Sequence, residues 1–312
     1  MKVDRLKSVA KDVYKLLESC EICPRRCKVN RLKGERGFCK GGLRPTVVSA
    51  QPHFGEEPPL SGVHGSGTIF FTYCNMRCVY CQNYTFSQLG EGNDIEVEEL
   101  VSMMLSLQRI RCHNINLVTP THFLPQIVHA LSIAVKDGLS IPIVYNTSGY
   151  ELAEVLRLLD GIVDIYMPDM RYADEDEARL YSNAPDYPRL NREAVCEMQR
   201  QVGVLDLEDD GIAKRGLIIR HLVLPNGISG TSGILKFIKD EISPDTYISL
   251  MDQYHPSFKA MDYPLISRRL KDKEYEEACN IMFEMGLKNG WMQGDITEMD
   301  RERFLGDRMI HK

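Results

Sequence analysis

Short apolar runs rich in β-branched and aromatic residues alternate along this chain with stretches whose apolar positions recur every three or four residues. The runs at 68–73, 115–119, 141–146, 162–167, 217–224 and 246–251 are bounded by glycine, proline or polar residues and predict strands. Helical periodicity fills the gaps near 95–110, 123–136, 151–159, 173–182, 190–202 and 231–241. Strands that alternate with helices build a parallel sheet, so the fold class is α/β, a partial (β/α)6 barrel. Ahead of it, Leu6, Val9, Val13, Leu16 and Leu17 lie at helical spacing in residues 4–19, and Thr46–Ala50 reads as one more strand. A Glu- and Lys-rich helix at 272–288 follows the last strand. The expected organisation is an N-terminal helix and four-cysteine extension (1–64), the partial barrel (65–261), and a C-terminal helical segment packing on it (262–312).

Composition narrows the function classes. With 43% hydrophobic and 26% charged residues the chain is of ordinary globular make-up and long enough to bury a core. A net charge of −6 offers no basic footprint for nucleic acid. No apolar run has the length of a membrane span, and the first residues lack the apolar stretch of a signal peptide, so a cytoplasmic protein without a membrane partner is expected. Ten cysteines in a reducing compartment point to metal or cluster ligation and not to disulfides. Seven of them precede residue 82; Cys112, Cys196 and Cys279 are scattered and read as small buried residues.

The densest chemistry is Cys74-Asn75-Met76-Arg77-Cys78-Val79-Tyr80-Cys81, on a loop just past the strand at 68–73. Structural zinc takes four protein ligands and this loop offers three. A cubane iron–sulfur cluster held by three cysteines keeps one iron without a protein ligand, a place for a substrate or cofactor. Cys20, Cys23, Cys27 and Cys39 form a second set, with proline and glycine forcing turns between them. A tetrathiolate suits structural zinc and equally a fully ligated iron–sulfur cluster. His53, Glu56, Glu57 and His64 sit in a Pro/Gly-rich loop, read as lining the cluster end in preference to forming a metal site.

Functional residues of β/α barrels stand at the C-terminal ends of strands. Here those ends are Thr119-Pro120-Thr121-His122, Asn146-Thr147-Ser148-Gly149, Met167-Pro168-Asp169-Met170-Arg171, Arg220 and His221 before Pro225-Asn226-Gly227, and Met251-Asp252-Gln253-Tyr254-His255. Every one is polar, and donors and acceptors converge on the same mouth as the cysteines.

Cys74, Cys78 and Cys81, with Tyr80 before the last, match the Cys-x3-Cys-x-aromatic-Cys signature, and the chain resembles the radical S-adenosylmethionine (SAM) enzymes. The resemblance implies a barrel of that type and a [4Fe-4S] cluster whose open iron binds SAM. It implies reductive cleavage of SAM to methionine and a 5′-deoxyadenosyl radical, an oxidoreductase chemistry of anaerobic conditions. The order of motifs over residues 65–257 is similar to the glycyl-radical-enzyme activases, typified by pyruvate formate-lyase activating enzyme. Asn146-Thr147 and Met167-x-Asp169 match that group's monovalent-cation site beside SAM, with Asn in place of Asp. Arg220 and His255 match its SAM-contacting arginine and histidine, whereas Thr119-Pro120-Thr121-His122 replaces its Gly-Gly-Glu motif. The SAM-binding set so implied is Tyr80, Thr119, Thr121, His122, Asn146, Thr147, Met167, Asp169, Arg220 and His255. Cys-x2-Cys-Pro-Arg-x-Cys, Val-Thr-Pro-Thr-His and Tyr-Asn-Thr-Ser-Gly-Tyr-Glu look like the pyruvate formate-lyase activating enzyme-like branch. A reduced flavodoxin- or ferredoxin-type donor is the implied partner, and a glycyl-radical enzyme, another protein or a small molecule the implied substrate. The competing class is a metal- or cluster-stabilised redox-sensing or binding protein that does not cleave SAM; the polar strand ends speak against it.

Overall fold

The computed structural model describes residues 2–292. The strands are β1 (Thr46–His53), β2 (Ser66–Phe71), β3 (Asn93–Asp94), β4 (Ile115–Val118), β5 (Ile143–Thr147), β6 (Ile165–Pro168), β7 (Asp206–Leu207), β8 (Ala213–Leu222), β9 (Tyr247–Met251) and β10 (Gly290–Met292). The α-helices are α1 (Lys2–Lys15), α2 (Pro58–Ser61), α3 (Tyr84–Ser87), α4 (Val97–Arg109), α5 (Leu124–Lys136), α6 (Ala153–Leu156), α7 (Glu175–Ser182), α8 (Tyr187–Val202), α9 (Thr231–Phe237) and α10 (Asp272–Glu284). One sheet runs β10-β9-β8-β6-β5-β4-β2-β1-β3 and does not close. From β2 to β10 every neighbouring pair is parallel, while β1 runs antiparallel to β2 and β3, and β7 pairs with β8 alone. The expected α/β partial barrel is therefore present, with a short seventh parallel strand at one edge.

The six expected barrel strands, β2, β4, β5, β6, β8 and β9, were foreseen within a few residues because their two faces are largely buried, which makes the apolar run continuous. Tyr145, Tyr166, Leu217, Ile219, Ile248 and Leu250 face the helices, and α1 packs across α5 on that outer side. Val144, Ile165, Met167 and Ile218 face inward and close the barrel floor together with Leu60 and Leu205. The short elements β3, β7, β10, α2 and α3 have too few residues to carry a period and were not expected. Of the scattered cysteines Cys112 is buried, but Cys196, on the outward face of α8, is exposed, and Cys279 is intermediate. The end of the expected C-terminal segment, 293–312, lies outside the described residues.

Candidate functional site

Parallel pairing sets the mouth of the barrel. Val118 stands opposite Asn146, and Asn146 opposite Met167, so the residues one step later leave the sheet at a common level. Thr119 there takes a left-handed backbone (φ 58°), unusual for a β-branched residue, and its amide donates to Asn146 O at 2.9 Å. Asp169 bridges to Arg220 on β8. A half-open cavity of about 370 Å³ fills the mouth, and Cys74, Cys78 and Cys81 form one wall.

The three sulfurs are already in polar company. Ser182 Oγ donates to Cys78 Sγ at 3.0 Å, the Met76 amide to Cys74 Sγ at 3.3 Å, and Ser87 Oγ lies 3.1 Å from Cys81 Sγ. Burial, with Cys78 beside it, pushes the Cys74 thiol up to about 12, and burial likewise raises Cys78. Such thiols stay protonated until a metal takes the sulfur, so ligation and proton release go together. Among the described residues no three His, Cys, Asp or Glu side chains are gathered tightly enough to share one metal ion. Three cysteines on one loop suit a cubane cluster that keeps one iron open.

Opposite the cysteines, charge is arranged in pairs. Arg171 bonds the Asp169 carboxylate, and the two are largely buried. Burial works against the Arg171 charge, but Asp169 foremost and then Cys78 outweigh it and hold the guanidinium charged. Arg220 is gripped by Glu57, with Nε and Nη2 both at 2.7 Å, and by Glu56 as well. Despite burial, which raises it, the Glu57 carboxyl is held below its ordinary value by Arg220. Arg220 thus lines the cavity with its donors turned to the loop before α2. Three polar atoms on the wall are buried without a hydrogen-bond partner among the described residues: Ser148 Oγ, Arg171 Nε and His53 Nδ1, the last facing Glu56 at 3.4 Å. A polar ligand would satisfy Ser148 and Arg171, which is the fit a SAM-sized cofactor requires.

Among the residues expected around SAM, Tyr80, Thr119, Asn146, Thr147, Asp169 and Arg220 line the cavity. The Thr147 hydroxyl is turned to Glu151, which also accepts from Thr121. Burial pushes the Glu151 carboxyl up to about 7 in spite of those bonds. Thr121 is thereby drawn behind the wall, Met167 belongs to the barrel floor, and His255 stands exposed at the rim with Nδ1 3.2 Å from Gln82 Nε2. His122 turns fully away: its Nε2 meets Thr72 O at 2.7 Å and its ring lies among the N-terminal cysteines, because the short 3-10 turn Thr121–Phe123 points it to the outer side. His221 is buried too, bonded to Met170 O and Thr231, and burial lowers it to about 4, so it is a neutral structural residue. His53 and Glu56 do line the cavity, while His64 leaves them to pair with the His113 ring at 5.3 Å. Ser148 and Arg171 were legible only as members of polar strand ends; their unsatisfied atoms depend on rotamers that no spacing reveals.

A family model described as the radical SAM superfamily matches residues 68–206. Two uncharacterized proteins of Methanocaldococcus jannaschii are relatives over most of their length. MJ0674 is 32% identical over 295 residues, covering 91% of this chain and 79% of that protein. MJ0808 is 25% identical over 291 residues, covering 86% and 79%. Among solved structures, the FeFe-hydrogenase maturase HydG from Carboxydothermus hydrogenoformans aligns with a TM-score of 0.50 at 13% identity, over 74% of this chain and 54% of its own. The chain thus spans about half of that maturase, and the likeness is one of fold alone. No helix among the described residues is long and apolar enough to cross a membrane.

Proposed function

The chain belongs to the radical SAM superfamily, and from that premise we propose that the barrel mouth binds SAM beside a [4Fe-4S] cluster on Cys74, Cys78 and Cys81 and uses it to start hydrogen abstraction from a substrate presented at the opening. The observation that carries this reading is the convergence of three thiols from one loop with the orphaned Ser148 Oγ and Arg171 Nε on the facing wall of one cavity. When bound, the cluster supplies the single electron that cleaves SAM.

The residues around it bind, orient and exclude. Ser148 Oγ and Arg171 Nε offer a hydroxyl and a charge-assisted donor to the amino-acid end of SAM. Arg171 beside Asp169 supplies the positive charge that the sequence resemblance gives to a monovalent cation. Phe70, Phe86, Val118, Leu222 and Met251 offer an apolar shelf for adenine. Arg220, neutralised by Glu56 and Glu57, acts as a rigid wall and not as a carboxylate clamp.

A cavity of about 370 Å³ is taken up by the cofactor, so the hydrogen donor reaches in from the mouth, as an extended protein loop does. We take activation of a glycyl-radical enzyme as the first case to test, with a reduced flavodoxin- or ferredoxin-type protein as electron donor. Electron paramagnetic resonance of the anaerobically reconstituted, dithionite-reduced protein tests the binding step. Added SAM should reshape the reduced-cluster signal, and a signal indifferent to saturating SAM in a cluster-replete sample contradicts the open-iron reading.

A further inference from the structure

Cys20, Cys23, Cys27 and Cys39 come from a segment with little regular structure, yet all four line one small buried chamber with Arg31 and His122 in its wall. Cys20 N donates to Val29 O at 2.9 Å and Lys28 N to Cys20 O at 3.0 Å, folding the loop back on itself. The amides of Phe38 and Gly41 donate to the sulfurs of Cys27 and Cys39, each at 3.4 Å.

Arg31 is the informative neighbour. It is 1% exposed, its Nη1 and Nη2 bond the carbonyls of His122 and Gly42 at 2.6 and 2.5 Å, and its Nε is buried without a partner. Among the described residues no carboxylate pairs with it. A buried guanidinium needs a compensating anion, which four neutral thiols do not supply and four metal-bound thiolates do. His122 Nδ1, likewise buried and unpartnered, is a second unsatisfied atom of the chamber's wall residues.

One feature favours a cluster over zinc: the two cysteine sets are joined directly. Arg25, two residues after Cys23, donates from Nε at 2.9 Å to the carbonyl of Asn75, next to Cys74. Phe38, next to Cys39, accepts at its carbonyl from Nη2 of Arg77, next to Cys78, at 2.8 Å. Both guanidiniums lie over the Phe38 ring, 3.7 and 5.1 Å from its centre. A structural ion has no use for two such links.

We propose that Cys20, Cys23, Cys27 and Cys39 hold a second, fully ligated [4Fe-4S] cluster that relays electrons to the cluster on Cys74, Cys78 and Cys81. One electron passes from a reduced flavodoxin- or ferredoxin-class donor to the N-terminal cluster, oxidising the donor. The same electron then moves to the cluster on Cys74, Cys78 and Cys81, returning the N-terminal cluster to its oxidised state, and no bond or proton changes. The relay's destination rests on the proposed function; the N-terminal cluster does not.

The test starts with a Cys74→Ala/Cys78→Ala/Cys81→Ala variant, reconstituted anaerobically with iron, sulfide and zinc all offered. The parent should hold about eight irons and the variant about four, a twofold drop, with equal sulfide and no response to SAM. One zinc in place of the remaining iron, or no bound metal in a variant that elutes and melts like the parent, overturns the proposal. A Cys27→Ala/Cys39→Ala variant is the complementary case and should keep about four irons that do respond to SAM. With both clusters reduced, the parent's resonance should show spin–spin splitting; a plain sum of the two variants' spectra overturns the relay. Failure of SAM cleavage alone would sink the proposed function and leave the iron count untouched.

Discussion

Ser148 and Glu151, three residues apart on one loop, play opposite parts. Ser148 Oγ has no partner in the wall it lines, so a bound ligand is its natural acceptor. Replacing it in Ser148→Ala should weaken SAM binding by about 1 kcal/mol, roughly fivefold in Kd, read by titration calorimetry on the cluster-bearing protein, while thermal stability holds. Glu151 is a buried carboxyl raised by burial from its ordinary 4.5 to about 7. The folded state therefore keeps this proton to higher pH than the unfolded state. Its contribution to stability is full below about 4.5 and is lost as pH rises to about 7. Glu151→Gln should flatten the thermal midpoint across that window and gain relative stability above it, on the order of 3 kcal/mol. A wild-type midpoint as flat as the variant's would contradict the assignment. Neither role was visible in the sequence, where Tyr-Asn-Thr-Ser-Gly-Tyr-Glu showed polarity but not which side chain faces the cavity. That choice is made by Thr121 and Thr147, whose hydroxyls turn to Glu151.

At the scale of elements, the strands, the cysteine loop and the polarity of the strand ends were legible, because continuous burial and the barrel rule both leave period and position in the sequence. What the connecting segments do was less so. The Glu56–Glu57 pair meets Arg220 across 164 and 163 residues, and a pairing so distant has no local signal. His122 was assigned to the mouth by its place after β4, whereas the 3-10 turn carries it to the opposite side. The loop after β5 is fixed by α8: Asn191 Nδ2 donates to Gly149 O at 3.2 Å and to Asp169 O at 2.9 Å, and Tyr187 OH to Ser148 O at 2.8 Å. Gly149 has φ 71°, and a Cβ there would stand 2.1 Å from Asn191 Nδ2 and 2.5 Å from Asp169 O. Gly149→Ala should cost about 2 kcal/mol or more in stability and weaken SAM binding by displacing both strand ends. An alanine variant that melts with wild type would show that the loop has slack its packing does not suggest.

Over the whole molecule, two sets of thiols meet across a shared aromatic residue, Phe38, with arginines from both sides on its face. The cysteine spacing marked two thiol-bearing loops, but not their contact, since residues 23–39 and 74–81 are separated by the whole of β1 and β2. The barrel then supplies one opening, with the cluster loop on one side and the paired charges Asp169–Arg171 and Glu57–Arg220 on the other. Neutralised pairs hold their side chains in place without drawing in loose water, which suits a chemistry that must keep water from a reactive intermediate. The most direct test of this account is anaerobic turnover of SAM with dithionite by the cluster-replete protein, assayed as 5′-deoxyadenosine released. The account predicts steady release by wild type and a loss of a hundredfold or more, on the order expected when the reacting centre is removed, in Cys78→Ser. Absence of 5′-deoxyadenosine from a folded wild-type sample with its full iron, beside an authentic radical SAM enzyme that produces it, would contradict the account.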